Sequence, residues 1–142
     1  QTVNVLHAML LTDGDRCIRT PAYYAFELLK PHRDKTAVGF ESSESDPLGV
    51  SVSASRSEKE LIVSCVNPSH DEPRSLECAV SGASAVSASA RILHHADWNA
   101  HNTFEEPNLI APVSHTARVE GGRIRFALPP LSIVTVQAGL KE

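Results

Sequence analysis

At 142 residues the chain has room for one domain with a hydrophobic core. Its hydrophobic content of 42% is a little below the usual globular share, and a net charge of -4 is spread along the chain. No basic stripe with interleaved aromatics points to nucleic acid, and no apolar run nears the roughly 18 residues of a membrane span.

Three cysteines stand at Cys17, Cys65 and Cys78. An odd count with no CxxC spacing argues against a disulfide framework and a zinc site, and buried free thiols are the favoured reading for Cys65 and Cys78. Position 1 is Gln, and an apolar opening follows from Thr2 to Leu11 with no partner nearby in sequence. Together these predict a piece of a longer chain.

In chain order, Val3 to Leu11 reads as a buried strand or a helical turn, since periodicity alone does not separate the two. Asp13-Gly14 is a tight-turn signal between Leu10-Leu11-Thr12 and Arg16-Cys17-Ile18-Arg19, which predicts a short hairpin. Thr20 fits an N-cap and Pro21 the first helical position. A helix is therefore expected over Ala22 to Lys30, with Tyr24, Ala25, Leu28 and Leu29 on its apolar side and Pro31 ending it.

From Thr36 onward the period becomes two. Strands are expected at Ala37 to Phe40, at Val50-Val52-Ala54 and at Leu61 to Val66, the last almost continuously apolar and so central. Leu76, Cys78 and Val80 alternate, as do Val86, Ala88, Ala90 and Ile92, whose side chains are expected on one buried face. Gly121-Gly122 links Thr116–Val119 to a strand with Ile124, Phe126 and Leu128 facing one way. Pro129-Pro130 then turns the chain into a final run from Leu131. About eight strands at these intervals, with one helix, predict a β-sandwich.

Between Ile92 and Pro112 periodicity stops in favour of a polar loop holding three His, three Asn and the lone Trp98. His94, His95, His101 and Asp97 are metal-ligand types, but their spacing matches no helical or hairpin ligand pattern. Local hydrogen bonding is the favoured reading for them, and Asn99 and Asn102 are expected to cap loop backbone. Trp98 is either a sugar-stacking platform or a packing residue in the core or between domains, and packing is favoured. Glu105-Glu106 are neighbours that point to opposite sides of extended chain. They cannot face each other across a sugar as a glycosidase pair does. Asp13 and Asp15 read as turn residues. No catalytic constellation follows from these residues alone.

The segment Ala100-His101-Asn102-Thr103-Phe104, with Pro107 after it and Leu128-Pro129-Pro130-Leu131-Ser132 near the end, resembles the C-terminal part of glycoside hydrolase family 51, the α-L-arabinofuranosidases. Residues 1–30 match as well. The resemblance implies a jelly-roll-type β-sandwich preceded by the last loop and helix of a (β/α)8 barrel. It divides the chain into a barrel remnant over 1–35 and a C-terminal sandwich over 36–142.

It further implies a retaining enzyme that releases terminal arabinofuranosyl groups from arabinan or arabinoxylan, with no cofactor and no metal. Its two catalytic glutamates would lie upstream, so that this segment carries none. Gln1 would end the eighth barrel strand and hydrogen-bond the arabinose. The implied partners are an arabinose-containing saccharide, the catalytic barrel and further copies in a homo-oligomer; the sequence does not fix the compartment, and a cytoplasmic setting is favoured. Two other readings stay open: a carbohydrate-binding β-sandwich built around Trp98, and a structural or oligomerisation domain.

Overall fold

In the computed structural model, residues 3–5, 7–42 and 49–141 are described. The chain opens with a two-stranded hairpin, β1 (Leu10–Asp13) and β2 (Arg16–Arg19), paired antiparallel with Asp13 opposite Arg16. Gly14 takes φ +61 in its two-residue loop, a conformation glycine adopts without strain. The expected hairpin is there.

The helix α1 (Pro21–Leu29) follows, then a single 3-10 turn over Lys30–His32. Thr20 stands at the N-cap position with extended φ and ψ, but its hydroxyl makes no capping bond. It donates instead to the carbonyl of Ala8 at 2.6 Å, so tertiary contact has taken the group that the local signal assigned to the helix. Pro31 sits inside the 3-10 turn, and α1 ends two residues before it. Tyr24 and Leu28 are buried as expected, whereas Leu29 is 43% exposed.

The remaining strands are β3 (Thr36–Ala37), β4 (Ser51–Arg56), β5 (Glu60–Asn67), β6 (Arg74–Cys78), β7 (Ser84–His94), β8 (Val113–His115), β9 (Ala117–Glu120), β10 (Arg123–Leu128) and β11 (Ser132–Lys141). They form a six-stranded sheet in the order β3-β4-β5-β11-β7-β8 and a three-stranded sheet in the order β6-β10-β9. Every paired neighbour is antiparallel. The chain changes sheet four times, between β5 and β6, β6 and β7, β8 and β9, and β10 and β11, so strands far apart in sequence become neighbours. The result is a mainly-β sandwich. The sandwich has one strand more than the eight expected, because β8, three residues long, is too short to show a period; the strand expected at Ala37 to Phe40 is found as β3, over Thr36–Ala37.

The core lies between the two sheets. Ile124, Phe126 and Leu128 of β10 alternate inward at 0%, 3% and 0% exposure and meet Leu61, Val63 and Cys65 of β5 and Val134 and Val136 of β11. Expectation fails at one end of β7. Ala88, Ala90 and Ile92 face the core, but Val86 is 59% exposed and Ala85 is buried in its stead. The cause is a bulge: Gly139 pairs with Ser87 and Leu140 with Ala85, leaving Val86 unopposed and reversing the phase beyond it.

A second, smaller core sits on the outer face of the six-stranded sheet. Tyr24 and Leu28 of α1 pack there with Leu93 of β7 and Ile110, and Ile133 of β11 joins from below. Beside it His32 bridges two serine hydroxyls at 2.8 Å, Ser55 on β4 through Nδ1 and Ser64 on β5 through Nε2. Ser64 in turn bonds Thr135 on β11 at 2.8 Å. Burial holds the His32 imidazole below its ordinary pKa, and the charge of Lys35 lowers it further. Helix, turn and sheet are thus joined by apolar contact and by a short polar ladder.

Candidate functional site

The loop between β7 and β8 is organised by one residue, Asn102. It is 3% exposed, and its side-chain amide donates to the carbonyls of Arg19 and Ile110, both at 2.9 Å. Its Oδ1 accepts the Ile110 N–H at 2.7 Å. One side chain therefore closes an eight-residue arc of the loop and fastens it to the end of β2. A buried amide with these partners satisfied is stabilising, and it becomes costly as soon as the partners are stranded.

Two further contacts join the loop to the N-terminal segment, and a third stiffens that segment itself. The Tyr24 hydroxyl donates to Asn108 Oδ1 at 3.1 Å. The Arg16 guanidinium lies 4.6 Å from the centroid of the Phe104 ring, and that of Arg19 lies 5.0 Å from Tyr23. The stretch Ala100 to Phe104 is in this way a clamp between hairpin, helix and sandwich. The expectation that Asn102 serves loop backbone holds, but its reach to Arg19 had no signal in the local pattern.

The histidines of this loop are occupied by backbone. His101 Nδ1 lies 3.0 Å from the Asn99 carbonyl, and His95 Nδ1 lies 3.1 Å from both the N–H and the carbonyl of Asp97. His94 Nδ1 is 3.4 Å from the Leu131 carbonyl. Among the described residues no group of three or more His, Cys, Asp or Glu side chains is placed to hold a metal ion. Asp97 Oδ1 accepts the Asn99 N–H at 2.9 Å, an Asx-type turn that projects Trp98 outward. Trp98 is 69% exposed, with the His70 ring edge-on at 5.1 Å, so the favoured packing in this chain's own core is not found.

Among the described residues, Glu77 and the buried thiols are not set for displacement chemistry. Glu105 and Glu106 are both exposed. Glu77 accepts from Arg123 and Arg125, both at 2.6 Å, and these bonds hold its carboxyl below the usual range. A general acid of a glycosidase needs the opposite shift. The three cysteines are free. Burial pushes the Cys65 thiol up to about 12 and raises that of Cys78, the reverse of an activated nucleophile. Gln1, the substrate-binding residue implied by the resemblance, lies outside the described residues.

The fold is a mainly-β sandwich with a helix and hairpin clamped to its outer face. The match to known proteins gives its family. Residues 1–132 fit the family described as the α-L-arabinofuranosidase C-terminal domain, and the chain belongs to that family.

An intracellular exo-α-L-arabinofuranosidase of Bacteroides ovatus is 30% identical over 148 residues, covering 96% of this chain and 29% of its own length. The solved GH51 arabinofuranosidase of Xanthomonas axonopodis pv. citri is 31% identical with a TM-score of 0.86, covering 97% of this chain and 30% of its own. The α-L-arabinofuranosidase of Thermotoga maritima, solved as an arabinose complex, is 26% identical with a TM-score of 0.77, covering 98% and 33%. The chain spans about a third or less of the length of these relatives. Among the described residues no helix is long and apolar enough to cross a membrane.

Proposed function

We propose that this chain serves as the C-terminal part of a retaining α-L-arabinofuranosidase of glycoside hydrolase family 51. The longer enzyme releases terminal arabinofuranosyl groups from arabinan or arabinoxylan. The observation that carries this reading is the family match across residues 1–132. In this reading residues 1–35 are the last loop and helix of a (β/α)8 barrel, and residues 36–142 are the sandwich that braces it. The two glutamates that displace the leaving group are supplied by the barrel. In this reading the enzyme is a homo-oligomer of the cytoplasm, a setting supported by its likeness to the intracellular exo-α-L-arabinofuranosidase of Bacteroides ovatus.

Gln1 is assigned to the sugar site, at the end of a barrel strand, where barrel enzymes keep their substrates. If its amide bonds the arabinose, Gln1→Ala in the longer enzyme removes a hydrogen bond worth about 1–3 kcal/mol in a partly dry site. That is roughly a 5- to 150-fold loss in kcat/KM. The melting temperature, measured alongside, should hold. An unchanged kcat/KM in a well-folded variant refutes the assignment. The reading as a whole requires that the native protein be much longer than the 15.3 kDa of this chain. An immunoblot of native extract with only a 15 kDa band, roughly the mass of this chain alone, would overturn it.

One observation favours a second reading, a carbohydrate-binding module: the 69% exposure of Trp98, whose indole is free to stack on a sugar ring. Affinity electrophoresis in arabinan separates the two. Retardation of this chain that Trp98→Ala abolishes supports the module, and unretarded migration removes it.

A further inference from the structure

Asn67 at the end of β5 and His94 at the end of β7 both pair with Ser132 of β11, so the loops that follow them leave the sheet at the same end. Each loop is pinned by a buried asparagine. Asn102 holds the β7–β8 loop, as described above, and Asn67, at 1% exposure, holds the β5–β6 loop. The Asn67 amide donates to the carbonyls of Glu72, Leu128 and Pro129 at 2.8, 3.2 and 3.1 Å. Its Oδ1 accepts the Ser69 N–H at 3.0 Å. Between the loops Leu131 is held at φ +49, its N–H donating to the Ser69 carbonyl at 2.9 Å and its carbonyl 3.4 Å from His94 Nδ1. On this locked base stand two exposed rings, His70 from one loop and Trp98 from the other, with planes 76° apart. An aromatic side chain held outward on a rigid base loses little freedom when a ligand covers it. Exposed polar groups flank the pair: Asp71 beside His70, and Asp97 and Asn99 beside Trp98. An indole bordered by hydrogen-bonding groups suits a sugar ring.

We propose that Trp98 and His70 form a platform that holds the xylopyranose backbone of arabinoxylan while the enzyme removes its arabinofuranosyl side groups. The proposal rests on the reading of this chain as part of an arabinofuranosidase. It makes Trp98 a backbone-holding residue of that enzyme, and it chooses between the two polymers that the reading leaves open. Ring shape makes the choice. The hydroxyls of β-linked xylopyranose are equatorial, so each face of the ring is a flat set of C–H bonds that an indole can cover. An arabinofuranose ring is puckered, with oxygen substituents leaving both faces, and offers no such flat surface. The near-perpendicular imidazole of His70 braces the indole and still leaves it 69% exposed for the sugar.

Because Trp98 is the one tryptophan, the fluorescence of this chain reports on the platform directly. Titration with a linear xylo-oligosaccharide should shift that emission, and an arabino-oligosaccharide of equal length should bind at least about tenfold more weakly. Trp98→Ala should abolish retardation of the chain in gels that contain xylan, whereas Trp98→Phe should keep part of it and His70→Ala should weaken it. If Trp98→Ala does not fold, the contrast between the two sugars in the wild type still decides. No shift with the xylo-oligosaccharide, equal binding of the two sugars, or undiminished retardation of Trp98→Ala overturns the proposal. So does a Trp98 that peptide mapping shows oxidised by N-bromosuccinimide in this chain and protected in the longer enzyme, since the platform is then covered there. In the longer enzyme Trp98→Ala should raise KM for arabinoxylan more than KM for an aryl α-L-arabinofuranoside, and an equal rise counts against the platform. Hydrolysis of that glycoside by the wild-type longer enzyme tests the functional reading independently. Inactivity of the folded enzyme removes that reading, and a failed titration beside an active enzyme removes only the platform.

Discussion

The two faces of the six-stranded sheet are covered in opposite ways. The inner face meets the three-stranded sheet through Leu61, Val63, Ile92, Ile124, Phe126, Leu128, Val134 and Val136, an apolar interface with few chemical choices. The outer face meets the helix and the long loop through four principal buried apolar residues and a handful of specific polar bonds from Asn102, His32, Tyr24 and Thr20. Hydrophobic burial scales with area and tolerates exchange of like residues, so the inner interface supplies most of the stability. Directional bonds add little net energy yet fix one geometry, so the outer layer decides how the N-terminal segment is presented.

The largest expected effect is on the inner face. Phe126→Ala should cost about 3–5 kcal/mol in urea melts, since it empties a 3% exposed site between two sheets. Val86→Ser on the exposed bulge, as control, should stay within about 0.5 kcal/mol. Comparable losses for the two would mean that the inner interface is not what holds the fold.

Next comes the outer clamp. Asn102→Ala strands the carbonyls of Arg19 and Ile110 and the N–H of Ile110, at about 1–3 kcal/mol for groups left buried without partners. Its signature should be local, with faster hydrogen exchange at Ile110 and in the hairpin and unchanged protection in β10 and β11. Uniform loss of protection would erase the distinction between the layers.

The smallest effect depends on pH. Because the folded state holds His32 below its ordinary pKa, the unfolded chain binds the proton more readily. Stability from neutral His32 is therefore complete above the unfolded value near 6.5 and is lost as pH falls through the lowered folded value. The stability gap between wild type and His32→Asn should narrow when urea melts are moved from neutral to mildly acidic pH. A gap that is constant or widens towards acid contradicts the ladder to Ser55 and Ser64.

The same contrast explains what could be read from the chain. The inner face was legible because burial imposes a period of two, as in Ile124, Phe126 and Leu128, and because Asp13-Gly14 and Gly121-Gly122 mark turns that follow from backbone sterics. The bulge at Val86 was not, because the shift is caused by the register of β11 with Gly139 and not by any residue of β7 alone. The clamp was only half legible. An Asn in a loop predicts a capping role, but a partner 83 residues away carries no local signal. Thr20 and Trp98 mark the same limit, one drawn from its expected cap by Ala8 and the other turned outward by the Asp97 turn.

The central claim is that this chain supports a glycosidase without carrying its displacement chemistry. Turnover of an aryl α-L-arabinofuranoside, measured for the 142-residue chain and for the longer enzyme at equal molarity, tests it most directly. The account predicts hydrolysis by the longer enzyme and none above buffer by the chain alone, because the proposed reading places both catalytic glutamates in the barrel. Turnover by the chain itself, surviving removal of contaminating enzyme, would contradict it.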